Sequence, residues 1–198
     1  MNSFSHYMIG SFLMKYIRKK YGIKLSPIRF LYWNVMTDFR RPYSRQSHQA
    51  DGLESPVQTE AETLAGTKQP TACFGPEYSK SLGVVCHFYA DFFCFPHAPV
   101  YQGTYWQHIK YEWELYRYMR KSFSSLCRTE LEGNADNYGD PESITALYEA
   151  LRRAYLSSTP SFKIDIIFAL RACLGAVMMI TRASIVKPAA KPPVLSGL

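Results

Sequence analysis

The chain has 198 residues, which suits one domain, because single domains usually contain roughly 100–200 residues. Hydrophobic residues make up 47% and charged residues 20%, a composition that excludes an intrinsically disordered chain and a coiled coil. The net charge of +7 is compatible with an anionic partner, but it does not indicate whether that partner is a phosphate, a lipid or a nucleic acid.

Hydrophobic periodicity predicts six helices and no strands. Their predicted bounds are 4–20, 27–36, 77–95, 102–124, 142–156 and 161–182. Two polar segments, 49–72 and 129–142, are predicted loops, the first with at most one helical turn near 57–65. We therefore expect an all-α fold, a single-domain helical bundle of about six helices over residues 1–183, followed by a Pro-rich tail at 184–198.

Neither the amino terminus nor the cysteines suggest export. The first residues carry no early positive charge, and His6 and Ser11 interrupt their apolar run, unlike a secretory signal. The apolar segment 164–180 contains Asp165 and Arg171 and is shorter than the ~20 residues of a membrane span, which predicts a core helix, with a membrane-touching helix as the alternative. The five cysteines include no CxxC pair and are predicted to be reduced. These features favour a cytoplasmic protein.

The chemically informative segment is LGVVCHFYADFFCFPH, residues 82–97. His87 and Asp91 are four residues apart and therefore share one face of a helix. Most of their neighbours are apolar, so burying these two side chains would be costly without partners. Pro96 ends the helix, which lets His97 turn back toward the same site. For His87 and Asp91 alone, a buried hydrogen-bonded pair is the alternative interpretation.

A second pair, His108 and Glu112, lies in HIKYEWEL with the same spacing. Imidazole and carboxylate are the usual nitrogen and oxygen ligands of zinc. Taken alone, this pair is more typical of a helix surface, but two helices that present such pairs inward predict a metal site in a bundle core. The other histidines, His6 and His48, and Asp38 after the second predicted helix carry no signal individually.

In chain order, these residues resemble the pattern of the bacterial zinc-dependent phospholipase C family, which is related to the fungal single-strand-specific zinc nucleases. The resemblance covers roughly residues 4–124 and includes an N-x-x-x-D segment from Asn34 to Asp38. It implies an all-α fold around two or three zinc ions. The implied ligands of one zinc are Asp38, His48, His87 and Asp91, and those of a second are His97, His108 and Glu112. A third zinc would be bridged by Asp91 and bound by His6.

The chain departs from the family pattern at its amino terminus, in the short loop from Asp38 to His48, and at the residue after Asp38. Secreted members begin, after processing, with a Trp whose amine and carbonyl complete the third site, whereas no Trp lies near Met1 here. Phe39 follows Asp38, where a polar aromatic residue would suit headgroup recognition better. Because secreted relatives exist, the resemblance leaves the compartment open.

The resemblance implies hydrolysis of a phosphodiester by water, with Asp38 as the first candidate for the general base and Glu112 as the second. We expect a zinc-dependent phospholipase C that cleaves phospholipid headgroups and contacts a membrane surface. One alternative is a single-strand nuclease on the same scaffold, with nucleic acid as its partner. Another is a non-catalytic, zinc-stabilised, membrane-associated domain. The sequence does not indicate an oligomeric state.

The aromatic residues around the predicted site have two interpretations. Most are expected in the core, while a few would line a pocket for a choline group or stack a nucleic acid base. These residues are Phe92, Phe93, Phe95, Tyr101, Tyr105 and Trp106. The basic residues Arg40, Arg41 and Arg45 either attract an anionic headgroup or belong to a solvated loop.

Overall fold

The computed structural model describes residues 1–40, 50–134 and 143–186, with side chains in 1–40, 56–129 and 143–186. Over these ranges the protein forms seven α-helices and no strand longer than a single bridged pair, which confirms the all-α prediction. The helices are α1 Ser3–Tyr21, α2 Pro27–Met36, α3 Ala50–Gly66, α4 Pro76–Phe92, α5 Tyr105–Asn134, α6 Ile144–Leu156 and α7 Phe162–Ser184. Short 3-10 helices follow α2 at Thr37–Phe39 and α4 at Phe95–His97.

Local sequence explains where α1 begins and ends. The Asn2 side chain accepts a hydrogen bond of 3.0 Å from the Ser5 amide, which satisfies a backbone donor of the first turn. At the other end, Gly22 adopts the left-handed conformation, with φ 69°, that commonly terminates helices. Asn2 also donates from Nδ2 to the Glu112 carbonyl oxygen at 3.3 Å, so the cap ties the start of α1 to α5.

The prediction of a loop over 49–72 is wrong, because Ala50–Gly66 forms α3. Its buried residues Val57, Ala61 and Leu64 follow helical spacing, but they are few and stand among polar residues. Pro56 lies inside the helix, where proline normally argues against one. Packing against the rest of the core therefore outweighs a weak local signal.

The hydrophobic core centres on α4 and α7. Almost every side chain of α4 from Leu82 onward is buried, in agreement with its apolar sequence. By length and composition α7 is apolar enough to cross a membrane, but 78% of its most apolar window is buried by the other helices. This burial agrees with the predicted core helix. Of the predicted Pro-rich tail, 184–198, Ser184 ends α7 and Ile185 pairs with Gln69, while residues 187–198 lie outside the described residues.

Two glycines let three helices approach closely enough to form a site. A Cβ at Gly83 of α4 would lie 2.6 Å from the carbonyl oxygen of Phe30 in α2. A Cβ at Gly10 of α1 would lie 2.9 Å from Asn34 Oδ1, also in α2. Contacts this short leave no room for a side chain. Helices α1, α2 and α4 therefore pack closely at these positions.

We predict that Gly83→Ala destabilises the fold by about 1–3 kcal/mol, because the methyl group must push α2 away from α4. Chemical denaturation followed by circular dichroism measures the change. Gly66→Ala is the matched control, since nothing lies within 4 Å of a Cβ at that position. Equal stability of the two variants would contradict the proposed close approach.

Candidate metal centre

His87 lies between α2 and α4, and one of its ring nitrogens is hydrogen-bonded to the backbone. Its Nδ1 lies 3.0 Å from the carbonyl oxygen of Asn34, and because a carbonyl only accepts, Nδ1 carries the proton and donates. Its Nε2 lies 2.8 Å from Asp38 Oδ1 and 3.3 Å from Asp91 Oδ2. A backbone carbonyl that fixes the tautomer in this way is typical of metal-binding histidines.

His6 of α1 joins the same cluster. Its ring stacks on that of His87 with centroids 4.1 Å apart, and its Nε2 lies 3.2 Å from Asp91 Oδ1. The side chain is completely buried, yet neither ring nitrogen makes a hydrogen bond of acceptable geometry. Burial, together with His87, lowers the pKa of His6 to about 4, so the ring is neutral near pH 7. A buried imidazole without hydrogen bonds is uncommon, and its lone pair is available to bind a metal ion.

A second group lies between the 3-10 helix after α4 and the first turns of α5. His97 Nε2 lies 3.1 Å from Glu112 Oε1, and His108 Nε2 lies 2.9 Å from the same oxygen. His97 Nε2 also lies 3.9 Å from Asp91 Oδ1, which connects the two groups. As predicted, Pro96 follows the end of α4 and His97 turns back toward the site, although α4 ends at Phe92 and not at residue 95.

The α-amino group of Met1 also lies in the cluster. It contacts Asp91 Oδ1 and lies 3.0 Å from Glu112 Oε1 and 3.3 Å from His97 Nε2. Burial alone would lower the pKa of this amine, but the attraction of Asp91 and Glu112 outweighs it and raises the pKa well above its usual value. The amine therefore supplies one positive charge next to two carboxylates.

Three carboxylates share this small volume, and all are ionised near neutral pH. Burial would raise the pKa of Asp91, but the Met1 amine and His97 hold it well below its usual range. For Glu112, the Met1 amine and His108 oppose burial and lower the pKa, and for Asp38, His87 does the same. Buried anions are costly unless cations compensate them, so this cluster favours bound positive charge.

The donor atoms fit zinc. Ligand atoms of His6, His87 and Asp91 all lie within 4.8 Å of one another, as do those of Cys94, His97 and Glu112. Nitrogen, oxygen and sulfur from these side chains are the ligands that zinc prefers. The unbonded nitrogens of His6 support the same conclusion, because a cation next to Asp91 would satisfy one of them.

The structure brings together seven of the eight side chains that the sequence predicts as ligands. They are His6, Asp38, His87, Asp91, His97, His108 and Glu112. His48 lies outside the described residues, and its role stays a prediction. Sequence reasoning missed Cys94 as a candidate ligand, because a lone cysteine in aromatic sequence indicates only a buried thiol.

The aromatic residues near the site divide between core and surface. Phe92 and Phe93 are fully buried, as expected for core residues. Tyr105 and Trp106 are instead 70% and 76% exposed, so these two are not core residues. They belong to the first turn of α5.

Comparison with known proteins agrees with this geometry. A family model described as zinc dependent phospholipase C matches residues 5–159, which is more than half of the chain. The protein belongs to the zinc-dependent phospholipase C family. No curated protein and no solved structure matches the chain significantly. The family match begins before His6 and extends beyond Glu112, so it includes all the described candidate ligands of this family member.

Asp165 of α7 lies beyond the family match and supports the second group of candidate ligands. Its Oδ2 accepts hydrogen bonds of 2.9 Å from the Phe95 amide and from the Tyr111 hydroxyl, and its Oδ1 accepts one of 2.8 Å from the Tyr155 hydroxyl. Phe95 is two residues before His97, and Tyr111 directly precedes Glu112. Burial raises the pKa of Asp165 to about 6. Asp165 thus fixes the two segments that carry these ligands relative to each other.

We predict that Asp165→Asn lowers the free energy of unfolding by about 1–3 kcal/mol, because an amide NH2 replaces one acceptor oxygen and faces buried donors. Urea denaturation at neutral pH measures the effect. Tyr155→Phe removes one donor and leaves the carboxylate with two, so its cost should be smaller, about 1 kcal/mol. A larger loss in Tyr155→Phe than in Asp165→Asn would contradict this role.

We also predict that Cys94 supplies a thiolate to the second group. Burial raises the pKa of the Cys94 thiol well above its usual value, so the proton leaves only when a metal binds. Protein loaded with cobalt(II) should therefore show a thiolate-to-cobalt absorption band in the near ultraviolet. Cys94→Ser should lose this band. Cys127→Ser, which alters a buried thiol on α5 outside the candidate metal centre, should keep it. Absence of the band from the unmodified protein would exclude Cys94 as a ligand.

Proposed function

We propose that this family member is a zinc-dependent phosphodiester hydrolase that cleaves phospholipids by phospholipase C chemistry. The observation that carries the proposal is the buried cluster of histidines and carboxylates within the segment that matches the family model. The cluster combines ionised carboxylates with a neutral His6, a donor set suited to a divalent cation. The family supplies the substrate class, a phospholipid.

We assign the ligands to two groups. His6, His87 and Asp91, with Asp38 beside His87, would hold one part of the metal cluster. His97, His108 and Glu112, with Cys94 as an added donor, would hold another. The 3.9 Å between His97 Nε2 and Asp91 Oδ1 makes Asp91 the residue that joins the groups. Two or three zinc ions are consistent with this arrangement.

Hydrolysis breaks the bond between phosphorus and the diacylglycerol oxygen and forms a bond between phosphorus and a water oxygen. A proton from the water ends on the diacylglycerol oxygen, and the headgroup leaves as a phosphate monoester. Bound zinc would supply positive charge for the phosphate oxygens and lower the pKa of water. Asp38 is the better candidate for the base that accepts the proton, because 31% of its side chain is exposed compared with 10% for Glu112.

Access to the cluster supports this assignment. Among the described candidate ligands, the Asp38 and His108 side chains are the most exposed, at 31% and 28%. Asp38 lies in the 3-10 helix after α2, and His108 lies in the first turns of α5. A phosphodiester would therefore enter between these segments, while His6, His87 and Asp91 stay at the buried end.

We predict that Asp91→Ala loses most of its bound zinc and at least about a hundredfold of phospholipid hydrolysis, because Asp91 contributes to both groups. Zinc per chain by atomic emission and headgroup release from phosphatidylcholine are the two measurements. Glu149→Gln, on the exposed surface of α6, should retain both properties. Full zinc content in the Asp91→Ala protein would contradict the ligand assignment.

Substrate comparison separates the proposal from its alternatives. The zinc-loaded protein should release the headgroup from phosphatidylcholine faster than it cleaves single-stranded DNA. Preferential cleavage of DNA would support the nuclease alternative. Bound zinc without hydrolysis of either substrate or of a chromogenic choline phosphodiester would support a non-catalytic domain.

A further inference from the structure

Exposed aromatic side chains concentrate around the candidate metal centre. Among the described residues, six of the eleven exposed large hydrophobic side chains are aromatic and lie within three positions of a candidate ligand. We call these six the aromatic rim: Phe4, Tyr7, Phe39, Tyr105, Trp106 and Trp113. Large apolar side chains are usually buried, so such a concentration beside a site is typical of an interaction surface.

The rim connects the elements that form the centre. The Phe4 ring of α1 lies 5.9 Å from the Trp113 ring and 5.2 Å from the Tyr116 ring of α5, measured between centroids. Tyr105 and Trp106 contact each other in the first turn of α5, at 5.5 Å. Phe39 directly follows Asp38 and is 64% exposed. The rim therefore includes aromatic contacts between α1 and α5, two of the helices that carry candidate ligands.

Positive charge accompanies the rim along α5. Trp106, Trp113 and Arg120 recur every seven residues, and Arg117 follows Trp113 by four, so all four share one side of the helix. Arg117 and Arg120, together with Lys121, also line a surface groove of about 480 Å³. Of the described α5 side chains outside the centre, only Glu114 is acidic, and it lies 3.8 Å from Lys110.

We propose that the aromatic rim and these α5 cations dock the protein on the surface of an anionic phospholipid membrane. Trp and Tyr favour the boundary between headgroups and acyl chains, because their rings are apolar while their N–H and O–H groups remain hydrated. Lys and Arg near an anionic leaflet add electrostatic attraction to the membrane surface. The rings without a polar group, Phe4 and Phe39, favour lipid over a fully hydrated partner. The inference rests on the proposed function for its lipid substrate.

Docking in this way would let the phosphate of a bilayer lipid reach the metal centre. A phospholipid in a bilayer presents its phosphate only a short distance above the acyl chains, so a buried centre must approach the surface closely. A rim that enters the headgroup region would bring α1 and α5, which carry His6, His108 and Glu112, close to that phosphate. The basic groove at Arg117 then faces anionic lipids beside the substrate.

The experiment uses the full zinc-loaded chain and vesicles of phosphatidylcholine, alone or mixed with phosphatidylserine. Trp106→Ala/Trp113→Ala should weaken sedimentation with both vesicles by at least about tenfold, since two large rings no longer enter the lipid. Its matched control, Ile28→Ala/Leu156→Ala, removes two exposed hydrophobic side chains far along the chain from the candidate ligands and should bind normally.

A second pair of variants tests the charges. Arg117→Gln/Arg120→Gln/Lys121→Gln should lose at least about tenfold in binding to vesicles with phosphatidylserine and little with phosphatidylcholine alone. The control Lys15→Gln/Arg18→Gln/Lys19→Gln neutralises three exposed cations of α1 and should change binding less. Equal losses in the two triple variants, or normal binding of the Trp variant, would overturn the proposed surface.

Two further results separate this surface from the proposed function. Hydrolysis of a short-chain phosphatidylcholine below its micelle concentration should stay within about twofold in the Arg117→Gln/Arg120→Gln/Lys121→Gln variant, because a dissolved substrate needs no docking. If the unmodified protein binds vesicles but does not hydrolyse the short-chain lipid, the docking surface stands and the proposed phospholipase activity is wrong. If the chain binds single-stranded DNA more tightly than either vesicle, and the same variants lose this binding, the surface binds nucleic acid and the membrane proposal is wrong.

Discussion

The fold is constrained by three ionised carboxylates that converge in one small volume, two of them almost completely buried. Asp91 and Glu112 are nearly inaccessible, and Asp38 lies at the opening of the same cluster. The cost of burying an unpaired charge exceeds what most single interactions contribute to stability, so positive charge has to accompany these groups. The Met1 amine supplies one positive charge. Asp91 and Asp38 raise the pKa of His87 against the effect of burial. Zinc would meet the same requirement and would also bind the neutral nitrogens of His6 and His97.

The helical bundle meets this constraint by bringing distant parts of the chain together. Gly10 and Gly83 allow the helix axes to approach until the Asn34 carbonyl can orient His87. Asp165 of α7 connects the segments that carry His97 and Glu112, because it accepts hydrogen bonds from the Phe95 amide and the Tyr111 hydroxyl. Preorganised side chains of this kind bind metal without paying the full entropy of ordering them.

Much of this site could be predicted from the sequence, because helix periodicity translates spacing into geometry. His87 with Asp91, and His108 with Glu112, share helix faces wherever the helices begin and end, so errors of several residues in the predicted bounds did not matter. Residues that act through tertiary contacts were harder to predict. Asp165 looks like an isolated charge in an apolar helix, and Cys94 depends on the turn that ends α4. The α3 helix was missed because only a narrow apolar stripe holds it to the core.

The central claim is that this cluster is a multinuclear zinc centre. Crystals of the protein grown with zinc and measured on both sides of the zinc absorption edge test it most directly. We expect at least two anomalous peaks, one between His6, His87 and Asp91 and one between His97, His108 and Glu112. A single peak elsewhere on the surface, or no peak within the cluster, would contradict the account.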